Sequence, residues 1–345
     1  MTINPGRKWD TGHPRELSLR PFGDTPADYE ALARVRNLTL RPITLDEHFR
    51  EFTGDDISRF YDRPGYSLED NAWLIYHADE PVSAAVIYPT ALFGNRPPGN
   101  FDMYVVPGQR RRHLGTRLLA HLEQAALARG HAVLETTIAQ EDTGSTAFLE
   151  RHGFSVVGQS LHLTRYGMDG LPPAELPPGY AMRSLAEVGE GPDYYVYATN
   201  RLGAYDANYS LIRPEDAEAL AASERWEPAG VLLLFDPAGR VVGVIRASGL
   251  RAGRGYLHEV RLEPSLRGMG LGRAMAGAAL RYLADGGVTL TELDTPGENT
   301  AAHGLALRAG FSVTRHWLHY LKRLQGPATE HRATPHGGMN DGRPE

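Results

Sequence analysis

EVRLEPSLRGMGLGRAM, residues 259–275, decides the fold. A strand-like run ends on Pro264 and gives way to Arg-x-x-Gly-x-Gly, spelled Arg267, Gly268, Met269, Gly270, Leu271 and Gly272, after which a helical pattern begins. Glycines let the backbone approach a ligand closely, and the free amides at the start of the helix supply positive potential. The run is therefore a device for holding pyrophosphate. MYVVPGQRRRHLGTRLL, residues 103–119, repeats the order of proline, arginine and glycine. The two stretches keep one offset of 157 residues, from Pro107 to Pro264, from Gly115 to Gly272 and from Gly153 to Gly310. Chance similarity does not hold register over that distance, so the chain is a duplication.

Working outward, each copy reads as a strand, a variable helical region, several strands, a helix, a strand, a helix and then paired strands. AWLIYHA and VSAAVIYP form a hairpin turned at Asp79-Glu80, and AGVLLLFD and RVVGVIRA one turned at Pro237-Ala238-Gly239. Leu114, Leu118, Leu119 and Leu122 fall at helical spacing, as do Leu271, Met275, Ala279 and Leu283. Gly130 and Gly286-Gly287 stop the two helices. Alternating strands and helices define an α/β fold in which each copy has a mixed central sheet flanked by helices.

The expected organisation is a disordered tail over 1–16, a first domain over 17–168, a Pro/Gly linker over 169–178, a second domain over 179–324 and a disordered tail over 325–345. The linker lies within GMDGLPPAELPPGY, whose paired prolines favour a stiff, extended spacer. The chain has 345 residues, enough for two ordinary domains, and 41% apolar content, enough for two cores. A net charge of −6 argues against a generic nucleic-acid binder. With no cysteine there is no thiolate metal site, thiol nucleophile or disulfide framework, which fits a cytoplasmic protein. The N-terminal residues lack the apolar core of a secretory signal, and no stretch reaches the roughly 18 apolar residues of a membrane span. No metal site is expected, and the oligomeric state is left open.

A dinucleotide-binding reading of the glycines fails because the spacing differs from Gly-x-Gly-x-x-Gly and no acidic strand end follows. With the strand–proline prefix and the downstream Asn299, Ala302, Gly310 and Phe311, the sequence resembles the GNAT acetyltransferase superfamily over nearly all of both copies. The resemblance implies two tandem GNAT-like domains using acetyl-CoA as cosubstrate and a primary amine as acceptor, the second domain being the main catalytic one. It implies cofactor contacts from Leu262, Arg267, Gly268, Met269, Gly270, Leu271, Gly272, Arg273 and Asn299. In the first copy it implies contacts from Val105, Val106, Arg110, Arg111, Arg112, His113, Leu114, Gly115 and Thr116. There His113 replaces the middle glycine, which fits if its backbone angles are helical, and Asp142 and Ser145 replace Asn299 and Ala302. That loop retains the cofactor, its arginines meeting phosphate, or binds it without turnover, or stands empty.

Acetyl transfer to an amine needs a base and benefits from a proton for the departing thiolate. The resemblance implies a glutamate on the strand before the loop as base. Glu259 occupies that strand and Asp102 is its counterpart, while Glu292 and Glu135 form a second shared pair on the next strand. The tyrosine that serves the family as general acid is replaced by Leu149 and Ala306. Tyr256, Tyr320, His258, His303 and solvent are the candidates to stand in for it. Tyr194, Tyr195, Tyr197, Tyr205 and Asp206 are candidate walls of the acceptor pocket, and each equally suits simple packing on the sheet. A non-catalytic acyl-CoA-binding protein is the alternative.

Overall fold

A computed structural model describes residues 17–41, 51–61, 66–89, 99–205, 211–222, 226–250 and 253–324. The expected terminal tails and Asp206 lie outside the described residues. The first half runs β1 (Leu17–Pro21), α1 (Pro26–Leu40), α2 (Gly54–Tyr61), α3 (Leu68–Asn71), β2 (Ala72–His77), β3 (Glu80–Pro89), β4 (Gly99–Val105), α4 (Leu114–Ala128), β5 (Val133–Ala139), α5 (Thr143–Arg151) and β6 (Ser155–Tyr166). The second repeats it as β7 (Ala181–Ser184), α6 (Leu185–Val188), α7 (Pro192–Gly203), α8 (Pro214–Ala221), β8 (Val231–Phe235), β9 (Val241–Leu250), β10 (Arg254–Leu262), α9 (Leu271–Asp285), β11 (Leu290–Pro296), α10 (Thr300–Arg308) and β12 (Ser312–Arg323).

Local chemistry sets the helix ends. Thr25 caps α1, its hydroxyl accepting from the Asp28 amide at 3.3 Å, with Pro26 in the first turn where no amide bond is lost. Ser184 and Glu187 form a reciprocal capping box at α6. The leucines expected to share one face of α4 are all buried, as are Leu271, Met275, Ala279 and Leu283 of α9.

All twelve strands join one sheet, in the order β1-β2-β3-β4-β5-β12-β6-β11-β10-β9-β8-β7. The order shows an exchange of strands between the halves. β12, the last strand of the second half, lies beside β5 of the first, Trp317 facing Ala139 and Arg323 facing Val133. β6, the last strand of the first half, lies beside β11 of the second, with Pro296 facing Ser160 and Leu290 facing Tyr166. Each half therefore ends in one long strand rather than a pair of its own, and β6 and β12 pair with each other at the centre.

The exchange reaches into both cores. Tyr320 of β12 is buried among Leu118, Leu122 and Phe154 under α4, and Leu163 of β6 is buried among Met275, Leu280 and Phe311 under α9. On the other face, α1 and α2 cover Leu74, Val86 and Tyr104, and α7 covers Leu233 and Val244. Arg165 of β6 donates to the Ala309 carbonyl at the end of α10, at 2.7 Å. Its equivalent on β12, Lys322, reaches Glu123 of α4 at 2.6 Å. The linker packs on the second half: Pro172 is buried and its carbonyl accepts from Arg281 of α9 at 2.8 Å.

Candidate active site

The parallel strands that flank each glycine loop separate early. β4 and β5 are in register only at Gly99–Leu134 and Asn100–Glu135. β10 and β11 are in register only from Arg254–Leu290 to Tyr256–Glu292, although β10 continues to Leu262 and β11 to Pro296. A notch opens at the carboxyl ends of the strands, the place where open α/β sheets receive ligands. The helix N-termini point into the same region.

Each loop begins with a single 3-10 turn, Pro107–Gln109 or Pro264–Leu266. Gly268 (φ 83°) and Gly270 (φ 81°) then adopt left-handed angles before α9 starts. A Cβ added at either glycine would meet nothing within 4 Å, so the backbone angle, not crowding, favours glycine there. Arg111 (φ 64°) and His113 (φ 59°) adopt the same angles in the first half. The first loop thus keeps the shape of the second at a cost of about 1 kcal/mol per strained residue. His113 therefore departs from the ordinary helical angles expected of it. Of the neighbouring arginines, Arg110 turns back to the Val105 carbonyl at 3.2 Å and Arg112 donates to Gln109. Arg267, Met269 and Arg273 are exposed around the second loop, whereas Leu114 and Leu271 are buried as the first residue of each helix.

Asn299 caps α10, accepting from the Ala302 amide at 3.1 Å, and Asp142 caps α5 in the same way through Ser145 at 3.1 Å. Asparagine and aspartate are near-equal caps, so this exchange leaves the helix intact. At the positions of the family's tyrosine, Leu149 and Ala306 are both buried.

The acids separate by environment. β10 has an irregularity between Leu257 and Glu259 where it pairs with β9, and such a bulge re-aims side chains. Glu259 accepts a hydrogen bond from the buried Tyr195 hydroxyl of α7 and lies 3.6 Å from Arg246 of β9. Burial first, and then the Glu259 carboxylate, push the Tyr195 phenol well above its ordinary pKa. Asp102 is flanked by the hydroxyls of Tyr104 at 3.1 Å and Tyr88 at 3.5 Å. Burial raises its pKa, against those two hydrogen bonds and the charge of Arg36. Burial also raises Glu135.

Glu292 sits in an ion network. It accepts from Arg254 at 2.6 and 3.2 Å and from His162 Nε2 at 3.3 Å, while His162 Nδ1 meets Asp294 at 2.9 Å. Burial opposes ionisation of Glu292, yet the bonds from His162 and Arg254 outweigh it and hold its pKa below the usual value. Burial likewise disfavours the His162 cation, but Asp294 and Glu292 raise its pKa to about 9. The Tyr256 hydroxyl donates to Asp294, and burial with that carboxylate raises its pKa strongly.

The structure therefore brings Glu259 together with Tyr195, Glu292 together with Arg254 and His162, and Tyr256 together with Asp294. Tyr320 is taken by Glu150 at 3.1 Å, His258 by Ser248 at 2.7 Å and His303 by the Pro296 carbonyl at 3.0 Å. Tyr197 and Tyr205 are exposed. Sequence reasoning missed Arg246, Arg254 and His162. For His162 a signal existed, since His162 and His319 keep the offset of 157. His319, on the other exchanged strand, meets Ser160 at 3.0 Å, and burial lowers its pKa.

The chain belongs to the acetyltransferase (GNAT) family, whose model matches residues 37–154 and again 202–311. Each match stops at the residue before an exchanged strand. It is a tandem member of that family. Among its relatives, mycothiol acetyltransferase of Arthrobacter sp. (strain FB24) is 27% identical over 220 residues, covering 62% of this chain and 67% of that protein. Mycothiol acetyltransferase of Cellulomonas flavigena is 30% identical over 229 residues, covering 62% and 64%. The fold is shared with a GCN5-related N-acetyltransferase from Sphaerobacter thermophilus, with TM-score 0.73, 22% identity and coverage of 93% of this chain and 98% of that one. It is shared too with a tandem GNAT protein from the clavulanic acid biosynthesis pathway, with TM-score 0.67, 18% identity and coverage of 90% and 100%. No described helix is long and apolar enough to cross a membrane.

Proposed function

We propose that this chain is an acetyl-CoA-dependent N-acetyltransferase that acylates a primary amine of a small molecule or peptide, with the second half as the main catalytic unit. The observation that carries the reading is the loop from Arg267 to Gly272, relaxed on two left-handed glycines, opening beside a bulged strand that presents Glu259. Relatives named mycothiol acetyltransferase support acetyl transfer without fixing the acceptor.

Acetyl-CoA supplies an activated acyl group when bound. The amides of the loop and the start of α9 hold its diphosphate, with Arg267 and Arg273 adding positive charge. Glu259 takes the proton that the amine must lose, and Tyr195 fixes the orientation of the carboxylate from α7. Arg254 and His162 stabilise the ionised form of Glu292 and reduce its demand for a proton. Asp102 and the first loop form a parallel but strained arrangement. A cytoplasmic location goes with this reading.

The test is release of free CoA thiol against a panel of primary amines. Glu259→Gln is expected to lower kcat by about 10²-fold or more, with acetyl-CoA affinity preserved. The buried Leu149 and Ala306 favour the other reading, a non-catalytic acyl-CoA-binding protein. Tight acetyl-CoA binding without turnover on any amine would establish that reading instead.

A further inference from the structure

The segment that joins the two halves runs along the helix following the second glycine loop. Between them lies a cleft of about 330 Å³, with Pro173, Leu176 and Pro177 on one side and Met269, Gly270 and Arg273 on the other. That volume is at the lower end of the range for small-molecule sites.

The linker is seated on α9 by two devices. Arg281 donates to the Pro172 carbonyl at 2.8 Å. Gly277 leaves room that any other residue would fill, since a Cβ there would stand 2.4 Å from the Pro172 oxygen and 2.9 Å from the Pro173 oxygen. Prolines at 172, 173 and 177 fix φ along the wall, so little entropy remains to be lost when a ligand enters. Leu176 anchors the wall to the core under α9.

The lining has a mixed character. Leu176, Pro177 and Met269 offer apolar surface for a flat ring. Exposed Glu175 borders the cleft and accepts hydrogen bonds from an exocyclic amine, whereas exposed Arg273 attracts phosphate. A phosphorylated adenosine has those three features. The geometry points to the linker as a wall of the second half's cofactor site, receiving the phosphoadenosine end of CoA. This inference rests on the proposed reading of the glycine loop and adds that the peptide joining the halves is part of the site.

Calorimetric titration of the full chain with acetyl-CoA and with acetyl-pantetheine, which lacks the nucleotide, tests it. Binding lost in Gly270→Glu marks the second half's site. Arg281→Met releases the wall and is expected to weaken acetyl-CoA binding there by roughly tenfold, about the worth of one charged hydrogen bond, with acetyl-pantetheine unchanged. Glu175→Ala lies on the surface and does not put folding at risk. It removes the acceptor for the exocyclic amine and is expected to weaken acetyl-CoA binding several-fold while leaving acetyl-pantetheine unchanged. Equal effects on both ligands, or no effect of Glu175→Ala on either, would overturn the inference while leaving the loop assignment standing. Failure of the wild-type chain to bind either ligand would remove both.

Discussion

Glu259 and Glu292 stand on neighbouring strands, yet their partners divide them. Glu259 meets a tyrosine hydroxyl and one arginine 3.6 Å away, whereas Glu292 is held by a cation on each side. The network around His162 makes stability depend on pH. Its pKa rises from 6.5 to about 9 on folding, so its contribution is complete below pH 6.5 and is lost as pH climbs through about 9. The depressed pKa of Glu292 acts in the opposite sense, contributing above its unfolded value of 4.5 and failing as pH falls below it. Melting temperature measured from pH 6 to 10 is expected to decline on the alkaline side, and His162→Gln is expected to flatten that limb. A wild-type alkaline limb no steeper than the variant's would disprove the coupling. His113 takes the glycine's place without the ordinary helical angles expected of it: its φ is left-handed, which is strained, not forbidden, for a histidine.

At the scale of elements, the two Gly-Phe glycines look alike in sequence and differ in surroundings. Gly310 has φ 85°, and a Cβ there would sit 1.8 Å from Arg165 Nη1. Gly153 has the same φ, but its Cβ would meet Lys322 only at 3.7 Å. Gly310→Ala is therefore expected to cost roughly 2 kcal/mol or more, through strain and loss of the Arg165 cap, and Gly153→Ala about 1 kcal/mol. Urea midpoints of the two variants check the difference. Reading the helices and most strands from the sequence was possible because apolar spacing reports the local period directly. Choice of partner for β6 and β12 is different. Both are long strands that follow a Gly-Phe, and nothing in their own pattern says which half they will complete.

Across the whole molecule, the exchange ties the halves into one sheet and two shared cores. Residues 17–168 alone would leave β5 without β12 and give β6 no neighbour from its own half. Exposed edges of that kind recruit other strands. Each half expressed alone is expected to aggregate or self-associate, while co-expression restores a soluble pair; a soluble, monomeric single half would contradict this. The chain is also expected to unfold in one transition. Trp73 lies in the first half's core and Trp226 packs against Tyr195 in the second, so single-tryptophan variants retaining either one should report the same denaturant midpoint. The sequence by itself determined the duplication, the register of 157, the glycine loops and the family, because each depends on short-range spacing of residue types with few conformational options. Only the tertiary structure decided that the last strands change places, that the linker docks on α9, and which hydroxyls and cations each carboxylate meets. Those outcomes depend on side chains far apart in sequence meeting across strands, and a strand's own period carries no label for its neighbour.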